Sequence, residues 1–205
     1  MPNEIAGLDD AVAALRVGEL VVYPTETFYG IAADPFSESA LEKLFAIKGR
    51  DPNKPIALIA ADSEMAFEVA SAVPEVARKL AVAFWPGPLT IVLPARDELA
   101  RELVGPDGIG VRVSPNPVAR ALSAGLARPI TATSANLSGA PPASTLADAR
   151  AALGEKVKVY LEGGKLTASA PSTVVAVDEI GWKMVRLGAI SEDQITAALA
   201  GDRLK

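Results

Sequence analysis

The stretch Leu20-Val21-Val22-Tyr23-Pro24-Thr25-Glu26-Thr27-Phe28-Tyr29-Gly30 (LVVYPTETFYG) sets the fold class of this 205-residue chain. Four apolar residues in a row read as a short buried strand, and Pro24, which has no amide proton to give a ladder, ends it. Ligands of open α/β sheets bind beyond strand ends, so the two hydroxyls and the carboxylate that follow could grip an amino acid there. The same residues could form a proline-initiated turn whose hydroxyls satisfy local backbone.

Outward from this strand, helical and strand patterns alternate. Residues 9–17 have helical spacing and stop at Gly18. Residues 39–48 read as a second helix, with Ser39 and Glu42 as a capping box and Gly49 as its end. Strands are predicted at 56–60, 89–93, 109–113, 130–133 and 157–161. Helices are predicted at 63–73, at 74–84 with proline as first residue, at 116–126 and at 145–153. Residues 173–177 and 183–187 read as a hairpin around Glu179-Ile180-Gly181, and Ser191 with Gln194 caps a last helix. About seven or eight strands interleaved with about six or seven helices make one α/β domain over residues 1–205, with a mixed sheet.

Composition removes several chemistries. The chain has no cysteine and no histidine, so disulfides, thiolate or imidazole metal sites, cysteine nucleophiles and Ser-His-Asp triads are excluded. Catalysis must run on lysine, arginine, carboxylates, hydroxyls, backbone amides or a bound ion. The net charge of −5 means that any nucleotide or nucleic-acid site needs a local basic cluster. Residues 1–20 are interrupted by Glu4, Asp9, Asp10, Arg16 and Glu19, which is not a signal-peptide core, and no stretch approaches a membrane span. A cytoplasmic location without membrane contact is the expectation. The phosphate-binding patterns GxxxxGK[ST] and GxGxxG are both absent.

Other clusters carry chemistry. Lys48-Gly49-Arg50-Asp51-Pro52-Asn53-Lys54-Pro55 places three cations on a loop leaving a helix, as closely spaced phosphates require. Taken alone, such a run reads more simply as a solvated loop, with Lys48 complementing the helix dipole. Thr131-Ala132-Thr133-Ser134-Ala135-Asn136-Leu137-Ser138-Gly139 runs from a strand into a polar turn that would let a ligand approach the backbone. Arg112 and Arg186 stand among apolar strand residues, on a solvated face or aimed at an anion in a cleft, and Ser172-Thr173 carries the same ambiguity.

The joint order of these blocks is more specific than any one of them. PTETFYG (24–30), KGRDPNKPIALIA (48–60), FWPGPLTIVLP (84–94), GVRV (110–113), TSANLSG (133–139), PSTVV (171–175) and RLG (186–188) together resemble the YrdC/TsaC family of threonylcarbamoyl-AMP synthases. The resemblance implies a twisted mixed parallel/antiparallel sheet with flanking helices and a concave basic cleft. It implies L-threonine at Thr27, Arg112, Ala132 and Ser172, and ATP at Arg50, Lys54, Gly108, Ser134, Asn136, Pro142 and Arg186. Lys48 and Arg50 would be the catalytic pair. Longer members carry a histidine where this chain has Ile59, and a further C-terminal domain, so the chain looks like the short bacterial form.

The implied reaction joins L-threonine, bicarbonate and ATP, brought in with Mg²⁺, into threonylcarbamoyl-AMP and pyrophosphate. The product would pass to a tRNA threonylcarbamoyl-transferase complex, and the resemblance also admits a direct tRNA contact. The competing reading is an RNA-binding module without nucleotide turnover, against which acidic net charge and few aromatics count. A carbamoyl-AMP-forming domain of the HypF type would bring zinc fingers, and this chain has no cysteine.

Overall fold

The computed structural model describes residues 5–49, 55–167 and 170–201. The predicted strand after residue 20 forms as β1 (Val21–Tyr23), beside a strand that the sequence hides, β2 (Gly30–Ala32). In chain order there follow α2 (Glu38–Lys48), β3 (Ala57–Ala60), α3 (Ser63–Phe67), α4 (Glu75–Phe84), β4 (Leu89–Leu93), β5 (Ile109–Val113) and α5 (Pro117–Leu126). The chain continues through β6 (Ile130–Ser134), α6 (Leu146–Leu153), β7 (Val159–Tyr160), β8 (Thr173–Val177), β9 (Trp182–Arg186) and α7 (Glu192–Ala200). The first helix, α1, is Leu8–Arg16.

The strands make one mixed sheet in the order β7-β1-β2-β6-β3-β5-β4-β8-β9. Three neighbouring pairs are parallel, β7 with β1, β3 with β5, and β4 with β8, and the others are antiparallel. This matches the expected fold class.

Alternation along the strands assigns each face. On one face, Val22, Ile31, Leu58, Ile91, Val111 and Val175 join a large core with α2, α4, α6 and α7. On the other, Val21, Tyr23, Ala32, Ile59 and Ile130 pack under α1 and α5 in a smaller core. Those two helices approach closely because residue 125 is glycine: a Cβ there would lie 2.6 Å from Val12 Cγ2. They leave β4, β8 and part of β5 uncovered on this second face. In β5, Ile109, Val111 and Val113 go to the large core, while Gly110 and Arg112 line the open half.

Several boundaries differ from the sequence reading, each for a local reason. Ser37, not Ser39, caps α2, accepting from the Ala40 amide at 3.4 Å. The helix expected over 63–73 stops at Phe67, because Ser71 donates to Pro94 O and Arg96 to Val69 O, tying this segment to the chain after β4. Pro74 is the N-cap of α4 instead of its first helical residue. The expected caps at Asn116 and Ser191 are present, the latter with Gln194 as a full capping box.

A tight turn, Gly105-Pro106-Asp107-Gly108, connects into β5, with Gly105 and Gly108 exchanging backbone bonds at 2.9 and 3.1 Å. Gly108 has φ +117°, and a Cβ there would lie 1.9 Å from Leu93 O, a main-chain atom that cannot yield. Gly108→Ala is therefore expected to cost at least about 2 kcal/mol, read as a lower denaturant midpoint at unchanged m-value.

Candidate active site

The uncovered half of the second sheet face is the floor of a cavity of about 750 Å³. Its walls are the β1–β2 loop, the turn at 105–108, the β6 exit and the segment entering β8. Of the sequence-nominated residues, Thr27, Lys48, Gly108, Arg112, Ala132, Ser134, Asn136, Pro142, Ser172 and Arg186 all line it, although they come from distant parts of the chain. Arg50 and Lys54 lie outside the described residues. The volume falls in the ~300–1,000 Å³ range of small-molecule sites.

The β1–β2 loop is knit by its own hydroxyls. Thr25 Oγ1 donates to Phe28 O at 2.7 Å and accepts from the amides of Thr27 and Phe28 at 3.1 and 3.2 Å. For Thr25, then, the local-turn reading holds. Thr27 Oγ1 lies 3.1 Å from Thr25 Oγ1 and remains at the cavity wall. Tyr29 closes the loop onto its surroundings. Its amide donates to Ala143 O, its carbonyl accepts from Ala135 N, and its hydroxyl donates to Gly164 O at 2.8 Å.

Glu26 does not do what its place in the loop suggested. Its carboxylate turns away from the cavity: Oε1 lies 2.9 Å from Arg112 Nε, and Oε2 accepts a short bond from Ser114 Oγ. Arg112 is buried and Glu26 nearly so, with side-chain exposures of 8% and 12%. The separation is that of an ion pair, yet the Nε–H is not directed at the oxygen, so neither atom has an aligned hydrogen bond among the described residues. Below the pair, Tyr23 donates to Thr131 O at 2.9 Å, and burial pushes its phenol well above the usual range, so it stays a neutral donor.

Across the cavity Arg186 Nη2 donates to Ser172 O at 2.8 Å and to Ser172 Oγ at 3.2 Å, and that hydroxyl is 3.1 Å from Thr90 Oγ1. Desolvation, and then the charge of Arg112, push the Arg186 pKa down. Two arginines thus repel each other in one cavity, which an arriving anion would relieve. Asp107 also lines the wall, but it pairs with Lys183 at 2.6 Å.

Lys48 ends α2, yet its ammonium does not merely complement the helix dipole. Nζ donates to Ser134 O and Asn136 O at 2.8 Å each and to Asn136 Oδ1 at 3.1 Å, bracing the β6 exit turn. Ser134 Oγ and Ala140 O hold the two ends of the Asn136 amide. Ile59 lies in the smaller core with no exposure, paired with Arg112 on β5 and Ile130 on β6.

Tyr23, Thr90 and Ser114 were not nominated from sequence. No sequence signal set them apart: Thr90 and Ser114 read as ordinary hydroxyls in and after strands, and Tyr23 as the last apolar residue of its own strand. A second cavity of about 400 Å³ near Phe36 holds Arg96 and Arg128, but each already faces an acid, Glu98 at 3.6 Å and Asp34 at 3.2 Å. Among the described residues no cluster of three or more acids could hold a metal, and no helix is long and apolar enough to cross a membrane.

Comparison with known proteins gives a consistent picture. The Sua5/YciO/YrdC family model, described as telomere recombination, matches residues 13–188. A threonylcarbamoyl-AMP synthase of Chromohalobacter salexigens is 40% identical over 80% of this chain and 89% of its own length. One from Yersinia enterocolitica is 38% identical with the same two coverages. Among solved structures, Pyrococcus abyssi Sua5 complexed with L-threonine superposes with a TM-score of 0.88 at 33% identity, over 94% of this chain and 57% of that one. Escherichia coli YciO superposes with a TM-score of 0.80 at 27% identity, over 92% of both chains.

Proposed function

The chain belongs to the Sua5/YciO/YrdC family, and on that premise we propose that it is an L-threonylcarbamoyl-AMP synthase. The observation that carries this reading is the convergence of Arg112, Ser172, Arg186 and the Lys48–Ser134–Asn136 brace on one cavity. Relatives that span most of their own length in this alignment bear the synthase name, which favours turnover over bare RNA binding.

In the proposed reaction the threonine carboxylate meets Arg112, and Thr27 and Ser172 offer hydroxyls to its polar groups, with Ala132 backbone beside them. The threonine amine and bicarbonate condense to a carbamate with loss of water. A carbamate oxygen then attacks the α-phosphorus of MgATP, a P–O bond to the β-phosphate breaks, and pyrophosphate leaves. The activity is therefore that of a nucleotidyltransferase. Mg²⁺ arrives on the triphosphate, since it is commonly held by substrate phosphates with few protein ligands. Lys48 and Arg186, joined by Arg50 and Lys54, supply positive charge to the phosphates, while Gly108, Ser134, Asn136 and Pro142 line the nucleotide. No step needs a thiol or an imidazole. The acyl-adenylate product is a mixed anhydride, suited to handing the threonylcarbamoyl group to a tRNA-modifying transferase complex in the cytoplasm.

Incubation with ATP, Mg²⁺, threonine and isotopically labelled bicarbonate, followed by mass spectrometry, tests this. The expected product is an adenylate carrying both threonine and the labelled carbon, with pyrophosphate released. Unchanged ATP, or an adenylate lacking the label, would overturn the reading.

A further inference from the structure

The mostly buried Glu26 carboxylate takes no part in the reaction just described, although Ser114 holds one of its oxygens and Arg112 faces the other. Ser114, fully buried, donates to Oε2; the same Ser114 Oγ accepts from the Asn116 amide at 3.1 Å, and Ser114 O accepts from Arg120 Nη1 at 2.8 Å. Asn116 is in turn the N-cap of α5. The carboxylate is thus tied to a helix terminus, and it meets Arg112 at Nε, 2.9 Å from Oε1.

We propose that Glu26 is a positioning residue, which holds the Arg112 guanidinium by its Nε side so that the Nη edge is presented to the ligand carboxylate. A guanidinium can grip a carboxylate side-on through Nε and Nη, or end-on through its two Nη groups. With Glu26 against Nε only the end-on grip is open, and this sets the ligand's orientation. Glu26 also offsets one charge where Arg112 and Arg186 repel each other, so the long arginine side chain keeps a single pose. The imperfect aim of the Nε–H toward Glu26 places the electrostatic hold above the hydrogen bond in importance.

This inference rests on the threonine reading of the site, and the test separates the two. Threonine Kd is measured by calorimetry, and kcat and KM by pyrophosphate release. For Glu26→Gln the threonine Kd and KM are expected to rise about 30-fold or more, with the ATP KM and the kcat at saturating threonine within about threefold. Introduced into an Arg112→Gln background, Glu26→Gln should add less than about twofold, because it acts through the arginine. Glu26→Asp keeps the charge but withdraws it by one methylene, and is expected to weaken threonine about tenfold. It carries the test should Glu26→Gln melt below the assay temperature. Threonine affinity unchanged in a folded variant, or equal effects in both backgrounds, would overturn the positioning role while leaving the synthase reading intact. A wild type that binds threonine but releases no pyrophosphate would remove the synthase reading alone, since the Kd series still decides the role of Glu26. A wild type that binds no threonine would overturn both.

Discussion

Arg112→Ala is expected to raise the threonine KM by about two orders of magnitude or more while moving the ATP KM by less than about threefold. The asymmetry follows from where the side chain stands. It comes from the middle of β5, buried on the half of the sheet that α1 and α5 leave open, and Glu26 faces it from the β1–β2 loop. The groups proposed to face the phosphates stand elsewhere: Ser134 and Asn136 at the β6 exit, and Lys48 reaching them from the end of α2. Loss of stability should accompany the loss of affinity, since the substitution leaves a buried carboxylate without its cation. Breaking such a pair costs about 3–5 kcal/mol in well-formed cases. The lower end applies here, because the pair lacks an aligned hydrogen bond and Ser114 still serves one oxygen. Assays at a temperature where the variant is folded separate the two effects: instability lowers the active fraction and hence the apparent kcat, whereas loss of the clamp raises the threonine KM. An equal rise in both KM values would contradict the assignment.

How far the sequence reaches can be seen from individual residues. The apolar run at 20–23 is legible because burial on both faces needs continuous hydrophobicity, while 89–93 and 109–113 show their strands through apolar residues that alternate with the cavity-lining Thr90, Gly110 and Arg112. β2 was hidden because Gly30-Ile31-Ala32 is too short to show a period; its identity comes from pairing with Val21–Tyr23 on one side and with Thr133 and Ser134 on the other. The helix expected over 63–73 ends early for the converse reason. Its spacing is helical, but hydrogen bonds from Ser71 and Arg96 to partners about 25 residues away in sequence outweigh the local preference. At the site, residue types were legible while directions were not. Glu26 and Arg112 were both singled out, yet only the register of β5 and the path of the β1–β2 loop show that they address each other. Lys48 likewise looked like an exposed end-of-helix cation and is buried on a distant turn.

That burial governs the second large effect. Lys48→Ala is expected to lower kcat by about 10²–10³, because in the proposed reaction it removes a cation that serves the phosphates, together with the brace of the Ser134–Asn136 turn. Lys48→Arg should not restore activity. An ammonium is a compact charge that can converge on Ser134 O, Asn136 O and Asn136 Oδ1 within 2.8–3.1 Å, whereas a planar guanidinium is larger and its donors diverge in a fixed fork. The residue is only 9% exposed, leaving little room for the larger group to find another pose. The brace and the charge can be told apart by combining Lys48→Ala with Asn136→Ala. If Lys48 acts chiefly by holding the turn, the double variant should be about as slow as the slower single one, since both remove the same arrangement. Multiplying effects would instead assign Lys48 a separate electrostatic contact with the nucleotide, and recovery of more than about a tenth of wild-type kcat by Lys48→Arg would show that the three-oxygen brace is dispensable.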